Sequence, residues 1–138
     1  MTRINLVLPH QLTNKHLMAE YRELPRIFTA VRKLEAQGKT PKDVDIPERY
    51  VLGKGHAKFF YNKIGWLAQR HASIYRELVE QRGFILDPTL FAYIHRSARS
   101  IRTQWFGPYE PTPEEIYLNM ARLCIRSGLD TVTDELSG

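Results

Sequence analysis

Apolar side chains recur at Leu17, Tyr21, Leu24, Phe28, Val31 and Leu34, steps of three and four that gather them on one stripe of a helix. Thr13 is placed to cap its start and Gly38 to end it. Inside the pattern stands Pro25, which has no N–H to give to the Tyr21 carbonyl and costs about 3 kcal/mol in an ordinary helix interior. The spacing therefore predicts a helix from Thr13 to Gly38 with a kink near Glu23.

A second stripe runs through Phe60, Ile64, Leu67, His71, Ile74 and Leu78, closed by Gly83. Between the two, residues 39–56 hold two prolines and two glycines and read as a loop ending in a Gly-rich turn. Thr112, Pro113, Glu114 and Glu115 form a helix start, with Thr as N-cap, Pro at the first helical position and Glu115 in the capping-box place. That helix is expected to run to about Arg126 and stop at Gly128. Residues 84–111 mix a strand-like run with a possible short helix from Leu90 to Arg102, and the pattern leaves both open. Residues 1–11 meet Pro9 early and read as an extended arm laid against the rest. The expected fold is all-α: three main helices, an N-terminal arm and long loops in a single domain over 1–138, with 129–138 as a flexible acidic tail.

With 138 residues, one core is affordable and two are not. No apolar run approaches a membrane span and no secretory leader is visible, so the expectation is a cytoplasmic protein without a membrane partner. One cysteine, Cys124, excludes an internal disulfide and offers no structural zinc site. No metal and no cofactor are expected. A net charge of +5, from 20 Lys and Arg against 15 Asp and Glu, suits a polyanion without requiring one.

On the first helix His16, Glu23 and Arg26 fall away from the Leu24 and Phe28 stripe, with Arg22 beside Arg26. By spacing alone this is a solvated face with local ion pairs as readily as a catalytic one. Arg96, Arg99 and Arg102, three apart, suit phosphates or plain solvation. His56 reads as structural, GKGH lacks the ending of a nucleotide loop, and Trp105, Phe106 and Tyr109 read as core before base stacking.

The literal strings go further. MTRINL at the start, HLMAEYRELPRIF over 16–28 and LGKGHAKFFYNK over 52–63 resemble the phage and bacterial pyrimidine-dimer DNA glycosylases, the ultraviolet-repair kind of endonuclease V, and the resemblance continues to about Arg126. It implies an all-helical fold with an arm passing between helices, and a partner that is double-stranded DNA carrying a damaged base, bound by a monomer. It implies that Met1 is removed and that the amine of Thr2 attacks C1′ of the deoxyribose, expels the base and holds the sugar as a Schiff base before β-elimination. An α-amino group suits this, since its reference pKa of about 7.7–8.0 leaves a useful neutral fraction that lysine, at about 10.4, lacks. In the resemblance Glu23 is the acid-base residue, and Arg3, Arg22 and Arg26 face the damaged strand. His16 matches a position close to the reacting sugar, and Arg122 and Arg126 correspond to a phosphate-binding segment.

Two departures bear on substrate. Lys15 stands where the family often has Gln beside the sugar, and the chain ends SGLDTVTDELSG in place of an aromatic, basic segment that helps recognise the lesion. The cis-syn cyclobutane pyrimidine dimer is the first expectation. Another damaged or modified base, or a DNA-binding module without turnover, are the alternatives; extrusion is cheapest wherever stacking is already damaged.

Overall fold

The computed structural model describes residues 2–123, so Cys124, Arg126, the expected helix end at Gly128 and the 129–138 tail lie outside the described residues. Helices α1 (Asn14–Glu23), α2 (Pro25–Ala36), α3 (His56–Phe59), α4 (Ile64–Arg76) and α5 (Thr89–Ser100) are followed by helical residues 113–123, here α6. Among the described residues there is no strand, only an isolated bridge between Lys63 and Phe106. The fold is all-α, and no described helix is long and apolar enough to cross a membrane.

The first expected helix is two. Thr13 caps α1 by accepting the His16 N–H. Pro25 then starts α2 immediately after Leu24, whose dihedrals stay helical (φ −54°, ψ −40°), so the joint is a kink with no loop. The Tyr21 carbonyl, which Pro25 cannot serve, accepts instead from Nε2 of His71 on α4 at 3.1 Å, and the two rings stack with centroids 4.8 Å apart. The proline is accommodated because α4 supplies the missing donor.

The second stripe also divides: α3 is one turn, Lys63 interrupts, and α4 carries Ile64, Leu67, His71 and Ile74 inward. A π-helical turn, Glu77–Gln81, extends α4 and buries Leu78 before Gly83, at φ +72°, ends it. Arg82 ties this end back to the chain start, donating to the carbonyls of Pro9 and Leu12 and to Asn14 Oδ1.

The open question at 84–111 resolves as a helix. The Asp87 carboxylate accepts the Thr89 N–H and starts α5, which packs on α2 and α4 through Ile94 and the buried Ser97. Thr29 and Tyr93 share a hydroxyl hydrogen bond of 2.6 Å across the α2–α5 contact. Trp105 is fully buried and Tyr109 packs edge-on against Phe59, Phe60 and Trp66, as the core reading of that cluster expects. At α6 the capping box is formed: Thr112 Oγ1 accepts the Glu115 N–H while Glu115 accepts the Thr112 N–H. Glu115 also takes the Tyr50 N–H and the Tyr109 hydroxyl, which fastens the 39–56 loop to the same helix start.

Candidate active site

Four successive arm residues, Ile4 to Val7, are buried, yet they pair with no strand. Their backbone groups must find partners elsewhere, and side chains from three helices and from the 39–56 loop provide them. The Ile4 N–H donates to His56 Nε2 at 2.8 Å and the Ile4 carbonyl accepts from the Tyr50 hydroxyl at 2.9 Å. Asn119 of α6 accepts both the Leu6 and Val7 N–H groups on Oδ1, at 2.7 and 3.2 Å, and donates to Asn5 Oδ1. Arg70 of α4 donates to the Val7 carbonyl and forms a buried two-point pair with Glu20 of α1, at 2.8 and 3.0 Å. Glu20 also accepts from Asn5 Nδ2. A buried ion pair of this kind holds only with its remaining lone pairs satisfied, and the arm supplies that satisfaction.

Ahead of this buried run, Thr2 and Arg3 emerge partly exposed. The Arg3 N–H donates to Oε1 of Glu23, the last residue of α1, at 3.2 Å. The carboxylate of Glu23 is thereby fixed to the peptide that links Arg3 to Thr2. Glu23 makes this contact from the kink, as the residue at which α1 stops, half-buried between the exposed Arg22 and the buried Leu24.

Arg22 and Arg26 flank the joint and are both exposed, one on the last turn of α1 and one on the first of α2. Lys15 is exposed on the first turn of α1 and His16, beside it, is half-buried. Burial lowers the His16 pKa, and the charges of Lys15 and Arg122 lower it further. Arg122 is thus near enough to α1 to be felt there, and its charge also acts on Tyr50 and His56 around the arm. Its Nε is buried and, among the described residues, has no hydrogen-bond partner. Two groups emerge: Thr2, Arg3 and Glu23 at the head of the arm, and Lys15, His16 and Arg122 between α1 and α6. Arg96, Arg99 and Arg102 lie exposed on and just beyond α5 and hydrogen-bond to none of these.

The residues that sequence reading missed are those that hold the arm: Tyr50, Glu20, Arg70 and Asn119. Glu20 and Arg70 had a faint signal, each being a charge on the buried stripe of its helix. Asn119 had none beyond its place in the third amphipathic helix.

A helical protein with a half-buried carboxylate flanked by exposed cations at the head of a buried arm offers a site suited to phosphate-rich DNA. The family model for pyrimidine dimer DNA glycosylase matches residues 1–91, and the chain belongs to that family. It is a DNA glycosylase family, and its substrate is DNA. The matched region holds the arm, α1 to α4 and Glu23; most of α5 and all of α6 lie beyond it.

Proposed function

We propose that this chain is a bifunctional pyrimidine-dimer glycosylase and abasic-site lyase in which the amine of Thr2, freed by removal of Met1, is the nucleophile. The neutral amine forms a bond to C1′ as the glycosidic C1′–N bond breaks and the base departs with the electron pair. Opening of the sugar ring leaves a C1′ iminium on the Thr2 nitrogen. Loss of a proton from C2′ then expels the 3′ phosphate, and water hydrolyses the imine to release the enzyme. Glu23 stabilises the positive charge on the sugar and iminium and carries the C2′ proton. Arg3, Arg22, Arg26 and Arg122 hold phosphates of the damaged strand, and Lys15 and His16 lie beside the sugar. Arg126 is assigned to a phosphate on the resemblance alone.

The observation that carries this reading is the Glu23 contact to the Arg3 N–H, which keeps a carboxylate one peptide away from Thr2. The family supports a pyrimidine dimer as the lesion. Borohydride reduction of the enzyme on an abasic duplex, in chelator, should give a covalent adduct whose DNA-bearing peptide begins at Thr2. Lys63 is the internal amine to control for, because burial lowers its ammonium to about 8 and brings it into the range of amine-selective reagents. N-terminal methylation of a Lys63→Met variant should abolish trapping; an adduct formed as before would overturn the assignment. A panel of defined lesions under the same conditions identifies the base removed, and binding to irradiated duplex with no nicking would mark a module without turnover.

A further inference from the structure

Residues 5–7 are held by Asn119, Glu20 and Arg70; nearer Thr2, the Arg3 N–H donates to Glu23 and Ile4 takes a pair of bonds from His56 and Tyr50. His56 is buried, and its Nδ1 lies 2.7 Å from the Val51 carbonyl. A carbonyl only accepts, so Nδ1 carries the hydrogen and Nε2 presents its lone pair to the Ile4 N–H. One tautomer of the neutral ring satisfies both contacts; an imidazolium would aim an N–H at an N–H. Tyr50 and Phe60 hold the ring edge-on, with centroids 5.2 and 5.8 Å away. Gly55, at φ +87°, turns the chain so that His56 enters α3 facing the arm.

We propose that His56 is a positioning residue of the reaction: its neutral imidazole fixes the arm at Ile4, two residues from Thr2, and so sets how far the nucleophilic amine reaches toward Glu23 and the sugar. The proposal rests on the Thr2 reading above. Without the acceptor on Nε2 the buried Ile4 N–H loses its partner and must shift to find another, and the peptides leading to Arg3 and Thr2 shift with it. Reacting groups held in line lose about 100-fold in rate for a 1 Å displacement, so a contact remote from the chemistry controls it. The charged and titratable groups facing His56 are Arg122 of α6 and Glu20 of α1, which oppose each other, and the Tyr50 phenol. Burial is the largest influence and keeps the ring neutral, against the pull of the Val51 carbonyl.

The test compares His56→Phe, His56→Gln and Leu78→Ala, the last a core truncation at the end of α4 that touches none of the arm's hydrogen bonds. With folding at the assay temperature checked by near-ultraviolet dichroism, the single-turnover trapping rate of His56→Phe should fall on the order of 10- to 100-fold with Kd for the abasic duplex within about twofold of wild type. Leu78→Ala should keep the wild-type rate per folded molecule. His56→Gln, which can accept from Ile4 without titrating, should recover part of the rate and lose the acid limb of the pH–rate profile, the fall in trapping rate expected of wild type as the ring protonates and can no longer accept from Ile4. A folded His56→Phe trapping at the wild-type rate, or an unchanged acid limb in His56→Gln, overturns the proposal. Independently of any variant, ring-nitrogen NMR of the wild-type protein should show the Ile4 amide shifting with the same midpoint as His56; separate midpoints also overturn it. Failure of wild-type trapping at Thr2 strikes the underlying reading instead, and the mapped peptide tells the two apart.

Discussion

His71 on α4 donates from Nε2 to the Tyr21 carbonyl at 3.1 Å, the acceptor that Pro25 leaves vacant four residues on. The kink that ends α1 at Glu23 is thus a joint between two distant parts of the chain. Replacing His71 by Phe keeps a ring to stack on Tyr21 but orphans a buried carbonyl, a change worth about 1–3 kcal/mol. In a Pro25→Ala background the restored N–H of residue 25 competes for the same carbonyl, so the cost of His71→Phe should shrink. Urea unfolding of the two single variants and the double one reads this as a coupling energy. Strict additivity would show that the two residues do not share the acceptor.

Glu23→Gln keeps an oxygen for the Arg3 N–H and removes only the charge. The arm should stay seated and the fold intact, while the trapping and nicking rates fall by about 10²–10⁴, the usual worth of a positioned acid-base group. Affinity for abasic duplex should change little. A variant that nicks at the wild-type rate would remove Glu23 from the chemistry.

The sequence made some of these features legible and hid others for identifiable reasons. The stripes Leu17 to Val31 and Ile64 to Leu78 are buried as their spacing required, because the helical period carries across the Leu24 joint in the first and into the π turn in the second. The kink was readable at Pro25, whereas its partner His71 was not, since nothing in a local window says which helix will cross behind Tyr21. Helix α5 was ambiguous because a serine, Ser97, occupies the centre of its buried face and breaks the apolar period; Asp87, whose carboxylate accepts the Thr89 N–H, was in the string but stands outside the helix, before the proline at the N-cap. At the site, Thr2, Glu23 and the arginines came from motif strings rather than from periodicity. The arm's clasps came from neither, because Asn119 and Glu20 act through contacts spanning 113 and 15 residues of chain.

Arg122 offers a second view of the same surface. If it holds one phosphate, Arg122→Ala should reduce the slope of log affinity against log salt by about 1 on irradiated and plain duplex alike. The same change removes one of the three influences that lower the His16 pKa, after burial and Lys15. NMR titration of His16 should therefore give a higher pKa in the variant. An unchanged salt slope would take Arg122 out of the phosphate contacts while leaving its effect on His16 to stand.

Acid stability follows from the buried rings. Burial lowers the pKa of both His56 and His71, more than the carbonyls of Val51 and Tyr21 raise them, and it lowers that of the half-buried His16 as well. In each case the unfolded chain, at about 6.5, binds its proton before the folded one does. Unfolding then takes up protons, so stability is full above the ordinary histidine range and declines as the pH falls through it toward the lower folded values. The slope reaches about 1.4 kcal/mol per pH unit for each histidine involved. Glu115, held below its ordinary range by the Tyr50 and Thr112 N–H groups against the opposing effect of burial, adds a further loss only at lower pH, where carboxylates protonate. Urea unfolding from pH 8 to pH 5 should show the decline, and His71→Phe and His56→Gln should each flatten it by removing one titrating ring. A wild-type curve that is level across this window would mean that the rings protonate in place, and the neutral His56 tautomer drawn from the Val51 carbonyl and the Ile4 N–H would have to be given up.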